Sequence, residues 1–405
     1  MSAAMSIAES TLTAAEQQVH DLVSTLLADF PPDSTRARDF LGAQFDAGLA
    51  WVHFPFGHGG LGVNAKLQKL VNERVLAAGA PHSGARNPIG YGMCGPTVAV
   101  WGSQAQKSRY LRPLFTGEEI WCQLFSEPGA GSDFAGLASR GVRDGDEWIC
   151  NGQKVWTTLA HVARFGLLVV RTDTEAVKHA GLSALVVDMH DPTVEVRPLR
   201  QITGEAEFNE VYFTDTRIHN SEMLGGPGDG WRVSLTTLMN ERVSIGGAIP
   251  AKGSGTVRDL IKTWQALPAD RRDAQTRDEV VKLWSRAEIL RLTNIRANQN
   301  RKMGDPGPEG SIGKGASAEL NKDIYNMVVN LMGADGMLYG SYEMVAPDQA
   351  MGYDTLQKAF LRMRANSIEG GTTEVMKNIL GERVLGLPGD VRVDRDRPWS
   401  EVPRS

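Results

Sequence analysis

Four short segments constrain this chain most: GLLVVRT at 166–172, LSALVVDM at 182–189, VEVRPL at 194–199 and EVYFTDTRI at 210–218. Each is rich in β-branched residues and bounded by turn formers, and no helix-length pattern separates one from the next. Strands that follow so closely pair antiparallel, because a parallel pair needs a crossover of a dozen or more residues. A compact antiparallel β domain is therefore expected in mid-chain, and a Rossmann dinucleotide domain is excluded.

The flanks carry the helical period instead. Thr13 with Glu16 has the spacing of a capping box, and Val19, Leu22, Val23, Leu26, Leu27 and Phe30 follow on one face until Pro31 and Pro32 stop it. Asp33 is placed to cap a second helix through Ala50, Asn64 a third, and Gln104–Phe115 reads as another. After GGPGDG at 225–230 the segment GWRVSLTTLMNERVSIGG opens a second helical region, with further patterns at 276–300 and 315–332 joined by GDPGPEGSIGKG at 304–315. The expected fold is α+β: an N-terminal helical domain (1–120), a central antiparallel β domain (121–228), a C-terminal helical domain resembling a four-helix bundle (229–388) and a polar surface tail (389–405).

Composition narrows the function. A chain of 405 residues with 41% hydrophobic content can bury a large core, and a net charge of −5 with no basic stripe argues against nucleic acid. Cys94, Cys122 and Cys150 are too scattered for a disulfide framework or a thiolate metal site, so no metal and a reducing, cytoplasmic setting are expected. The first residues lack a basic-then-apolar leader, and no stretch reaches the length of a membrane span, so no membrane insertion is expected.

Chemistry concentrates in WCQLFSEPGAGSDFAGLASR at 121–140 and NGQKVWTT at 151–158. Gly129 and Gly131 lie among Ser126, Glu127, Ser132 and Asp133, and a loop without side chains at such points can press its N–H groups against a ligand. The two segments together resemble the flavin-binding core of the acyl-CoA dehydrogenase family, and with the α-β-α order the resemblance covers nearly the whole chain. It implies FAD as cofactor and an acyl-CoA thioester as substrate, which loses a proton from Cα to a carboxylate and hydride from Cβ to flavin N5. It also implies that Gln123, Phe125, Ser126, Gly131 and Ser132 line the flavin, with Ser132 also near the CoA moiety. Trp156, Thr157 and Thr158 are implied as a second flavin strand.

Two carboxylates compete for the base. SIEGGTTEV at 367–375 resembles the family's catalytic loop, but aligning its Gly-Thr step puts Gly370 at the base position and Glu369 one residue early. In extended backbone a shift of one residue reverses a side chain's direction. Glu241 in LMNERVS stands directly before Arg242, as in those family members that carry the base on this helix, and is preferred, with Glu369 as the alternative. Gly370 then keeps a backbone donor for the thioester oxygen, and Asn240 and Arg242 are implied substrate contacts.

NLMGADG at 330–336 resembles the segment that meets a neighbouring subunit's flavin, through Asn330 and Gly333, and Thr372 and Glu374 match a contact near the adenine. The family's Arg-x-x-Phe-Gly segment for the diphosphate is replaced by VRDLIKTWQALPADRRDAQTRDEV, where Arg271 or Arg272 could substitute. The implied partners are an electron-transferring flavoprotein and further subunits in a homodimer or homotetramer. Two alternatives stay open beside the dehydrogenase: the resemblance also covers oxygen-using oxidases and monooxygenases of this fold, and the departure at the diphosphate segment motivates a non-catalytic subunit of a mixed oligomer. GYGMCGPTVAVWG at 90–102, with its small residues, is a candidate acyl-pocket wall.

Overall fold

A computed structural model describes residues 12–246, 249–303, 309–348, 352–391, 394 and 396–402. The chain forms two compact units, Met1–Trp121 and Cys122–Ser405. The fold is α+β, with helices first, a sheet rich in antiparallel pairing in the middle and helices again.

The first unit contains helices α1 (Ala14–Asp29), α2 (Ala37–Asp46), α3 (Gln68–Ala77), α4 (Ser83–Arg86), α5 (Gly95–Trp101) and α6 (Gln104–Thr116). The Thr13–Glu16 capping box forms, and Val19, Val23 and Leu26 bury one face of α1. Asn64 caps the short 3-10 turn Ala65–Leu67 that leads into α3. The second helix differs from expectation. It starts at Ala37 behind Arg36 and not at Asp33, because Ser34 and Thr35 donate back to the Pro31 carbonyl and spend that stretch on a turn. The glycine-bearing stretch at 90–102 is a π-helical turn, Gly90–Cys94, running into α5. Fully buried Asn87 sets it: its carbonyl oxygen accepts from Gly90 and Trp121 N–H, and its amide donates to the Leu114 and Glu119 carbonyls.

In the second unit the sheet is built from β1 (Trp121–Leu124), β2 (Arg140–Asp144), β3 (Glu147–Thr158), β4 (Phe165–Arg171), β5 (Leu182–Asp188), β6 (Val194–Pro198), β7 (Phe208–His219) and β8 (Met223–Leu224). Their order is β6-β7-β3-β2-β4-β5-β8, with β1 beside β4. β3 pairs antiparallel with β2 and β7, β4 with β5, β5 with β8 and β6 with β7, while β2 meets β4 in parallel through a single residue pair. Leu124, Leu168, Val170, Leu185, Val211 and Phe213 belong to one buried core.

Helices α7 (Gly230–Gly246), α8 (Thr256–Ala266), α9 (Ala274–Met303), α10 (Glu309–Met332), α11 (Leu356–Arg362) and α12 (Thr373–Arg383) follow. Leu260, Val280, Leu320, Ile324 and Val328 join α8, α9 and α10 in a second core. The altered stretch at 255–285 is thus spent on α8, whose Val257 and Leu260 are buried, and on the start of α9. Within the expected linker, α10 already begins at Glu309. The polar end of the chain is also more than a surface tail: Trp399 is 1% exposed and lies under the Arg171 guanidinium. An aromatic side chain in a polar segment, with backbone bonds at and beside it, docks the segment there.

Candidate active site

The loop 126–133 is held from beneath by a buried ion pair. Lys154 Nζ donates to Glu127 Oε1 at 2.8 Å and to the Phe125 carbonyl at 3.1 Å, and Glu127 also accepts from Ala138 and Ser139 N–H. Burial pushes the Glu127 carboxyl up, but Lys154, Ser139 and the Ala138 N–H outweigh it and hold the group below its usual range. A buried charge pair is kept only when such hydrogen bonds satisfy it. Its effect is to pin both ends of the loop while Gly129 and Gly131 face open space where a Cβ would stand.

β3 comes alongside through Val155 N–H, which donates to the Ser126 carbonyl at 2.9 Å. The β3–β7 register shifts between Lys154 and Thr157, and Trp156 in that bulge has φ 60°, a left-handed angle that a bulky residue rarely adopts. The bulge turns the indole outward: Trp156 is 58% exposed, with its edge against Phe208. Next to it the buried Thr157 hydroxyl has no partner. Bare backbone at Gly129 and Gly131, on a loop hydrogen-bonded to the strand that carries the exposed Trp156 indole, suits a planar heterocycle with polar edges. Gln123 is half-buried on β1, Ser126 half-buried, Ser132 exposed, and Thr158 half-buried opposite Phe208. Phe125 is buried and stacked on Phe134 at 4.9 Å, and its carbonyl accepts from Lys154.

The two carboxylates have opposite settings. Glu369 is gripped by Arg362 through two bonds of 3.1 and 2.9 Å and accepts from Asn366 at 2.7 Å. Arg362, 5% exposed, also pairs with Glu207 at 3.2 Å, and these carboxylates raise its pKa in spite of burial. Glu241, from α7, reaches the loop instead. Its Oε1 lies 3.5 Å from the point where a Cβ on Gly370 would stand, and Gly370 has φ 63°. A carboxylate from the helix therefore arrives beside a loop position that carries no side chain. Lys314 of α10 closes this corner. Its Cε is 4.0 Å from the same point and its Nζ donates to the Gly371 carbonyl. Burial holds its pKa down, against the pull of Glu369, Glu241, Glu319 and Glu374.

Asn240 donates to the Thr236 carbonyl of its own helix at 2.8 Å, and the side chain of Arg242 lies outside the described residues. Thr372 caps α12 by accepting from Val375 N–H, leaving Glu374 exposed in the first turn. Asn330 and Gly333 are exposed at the end of α10, where Arg271 donates to the Leu331 carbonyl at 2.8 Å and lies 3.5 Å from the Cβ position of Gly333. Arg272 follows on the 3-10 turn and is exposed.

Lys154, Glu127, Lys314 and Arg362 were not anticipated. Lys154 and Glu127 lie inside the two quoted motifs, and the available signal was a lysine within a strand. The bulge destroys the alternation that would have told which way it points.

Residues 7–118, 122–216 and 228–385 match, in order, the profiles described as acyl-CoA dehydrogenase, N-terminal domain, middle domain and C-terminal domain. The chain belongs to the acyl-CoA dehydrogenase family. Among its relatives, the acyl-CoA dehydrogenase IpdE1 of Mycobacterium tuberculosis is 36% identical over 85% of this chain and 86% of that protein. The acyl-CoA dehydrogenase FadE29 of the same organism is 30% identical over 86% and 87%. Among solved structures, a probable acyl-CoA dehydrogenase from Mycobacterium abscessus is 25% identical over 92% of this chain and 98% of that one, with a TM-score of 0.68. The ChsE4-ChsE5 complex from Mycobacterium tuberculosis gives a TM-score of 0.69 at 24% identity, covering 94% and 99%. The chain is accordingly an oxidoreductase acting on acyl-CoA, and the family's cofactor is FAD. Among the described residues no helix is long and apolar enough to cross a membrane, and no group of three or more His, Cys, Asp or Glu could hold a metal ion.

Proposed function

We propose that this chain oxidises an acyl-CoA thioester to the trans-2-enoyl-CoA with Glu241 as the base. The observation that carries the reading is the 3.5 Å approach of Glu241 Oε1 to the missing side chain of Gly370, set against the double clamp of Arg362 on Glu369. Glu241 Oε1 takes the α-proton. The Gly370 backbone N–H is the donor to the thioester oxygen, which makes that proton acidic enough to remove. Ser126, Gly131, Ser132, Trp156, Thr157 and Thr158 hold the flavin, with the Trp156 face excluding water from one side. FAD, when bound, supplies the hydride acceptor.

At the far end of the cofactor, Arg271 beside Gly333 takes over the diphosphate contact of a neighbouring subunit in a dimer-based assembly. The support is that the 3-10 turn delivers a guanidinium to the NLMGADG segment, where a phosphate can accept two parallel bonds. An electron-transferring flavoprotein reoxidises the enzyme. The test is an anaerobic panel of acyl-CoA esters followed by flavin bleaching, then stopped-flow reoxidation. Slow reaction with oxygen and fast transfer to the flavoprotein fit a dehydrogenase; fast oxygen reaction identifies an oxidase or monooxygenase, and purified chain without FAD or activity identifies a non-catalytic subunit.

A further inference from the structure

The profile of the C-terminal domain ends at residue 385, yet the described residues beyond it return to the sheet. Trp399 N–H donates to the Ala176 carbonyl at 3.0 Å and Ser400 N–H to the Thr174 carbonyl at 2.9 Å, while Pro398 bridges to Val177. These contacts lie on the loop that joins β4 to β5. That loop carries Lys178, 8% exposed, whose ammonium is shared between Asp133 at 2.7 Å and Asp394 at 2.5 Å. Asp133 closes the glycine loop, so the chain's end and the cofactor loop meet on one lysine.

A second connection runs beneath. Arg171 is 1% exposed and donates to the Lys178 and Ala135 carbonyls, each at 2.6 Å, and its guanidinium lies 4.6 Å over the Trp399 ring. Its backbone N–H donates to the Ser139 carbonyl at 2.7 Å. Trp399 thus covers the cation that holds the backbone just after the glycine loop. An aromatic face over a desolvated guanidinium keeps water from its carbonyl partners. On the other side His179 packs edge-on against Trp231 at 4.4 Å, in the first turn of α7, the helix that bears Glu241.

We propose that Asp394 and Trp399 act as a clasp on the cofactor loop: by completing the ion pairs of Lys178 and covering Arg171 they fix Ser132 and Asp133, so that flavin retention depends on residues at the far end of the chain. They are positioning residues that act through Lys178 and Arg171. The inference rests on the flavin reading of the glycine loop.

The test uses full-length protein carrying Asp394→Asn, Asp394→Glu or Trp399→Ala. Amide hydrogen exchange of residues 135–139 is measured without added FAD, and the dissociation constant of FAD is measured from recovery of its free fluorescence. The Asn and Ala variants are expected to speed exchange in 135–139 and to weaken FAD about tenfold, with a shifted visible spectrum of the bound flavin; Asp394→Glu restores both. Asp394→Asn keeps the size of a half-buried side chain and removes only its charge, and so remains informative should Trp399→Ala fail to fold. Unchanged exchange, or faster exchange with an unchanged FAD constant, overturns the clasp. Faster exchange in the variants, with a parent protein that itself binds no FAD, overturns the clasp's cofactor role through the flavin reading.

Discussion

Replacing Glu241 by Gln keeps the side chain's shape and removes its ability to accept a proton. A positioned general base contributes about 10²–10⁴-fold, equivalent to roughly 2.7–5.5 kcal/mol of barrier, and the flavin should bleach slower by that factor. Glu241→Asp gives a graded result. Shortening by one methylene withdraws the carboxylate by about 1.5 Å from its 3.5 Å approach to the Gly370 position, a misplacement expected to cost on the order of 10²-fold. Glu369→Gln has a different signature. It loses charge-assisted bonds to Arg362, which keeps Glu207, so stability should fall by about 1–2 kcal/mol while bleaching stays within about fivefold of the parent. The assay is anaerobic stopped-flow mixing of FAD-saturated protein with the best ester from the panel, followed at the flavin's visible band and normalised to bound FAD. Parent-like bleaching by Glu241→Gln, or its loss in Glu369→Gln alone, refutes the assignment.

Four further outcomes are expected. Gly131→Ala should leave the melting temperature of the FAD-free protein unchanged, because nothing lies within 4 Å of the new Cβ, but should weaken FAD on titration, because that space is the proposed cofactor's. Trp156→Gly should relieve a left-handed bulky residue, worth about 1 kcal/mol, and so hold or raise apo stability in thermal melts while flavin is lost. Lys154→Met leaves Glu127 buried without its partner and should cost about 3–5 kcal/mol in urea unfolding. Glu127's folded pKa is depressed below its ordinary 4.5, so its contribution is fully present above that value and is lost as pH falls through the lower, folded one; acid titration of stability should show this step, and Glu127→Gln should abolish it.

Much of the fold was legible because period and punctuation agreed. The α1 capping box, the Asn64 cap and the four central strands each rest on local chemistry that tertiary packing did not override. Asp33 failed as a cap because the carbonyl of Pro31 captured the neighbouring amides for a turn, a competition that residue preference alone does not rank. The tail was misjudged because its polar composition hid the one residue, Trp399, that decides where it goes. At the site, the glycine loop could be located but not the Lys154–Glu127 pair beneath it, since a bulge leaves no parity to read. The register argument set Glu369 one residue early, and the structure finds it bonded to Arg362 and Asn366. Glu241 was already the preferred base from its place before Arg242; what the sequence did not carry is the engagement of Glu369 with Arg362 and the 3.5 Å between Glu241 Oε1 and the Cβ position of Gly370.

Gly370 also limits where this site can carry an acid. Its backbone at φ 63° suits glycine, and any side chain there meets a left-handed penalty of about 1–2 kcal/mol as well as the Glu241 carboxylate at 3.5 Å. An acid placed at position 370 would carry that backbone penalty and set a like charge beside Glu241. With Glu241 as the proposed base, the two placements of the acid therefore exclude one another, and the exclusion lies in backbone geometry whatever the enzyme oxidises.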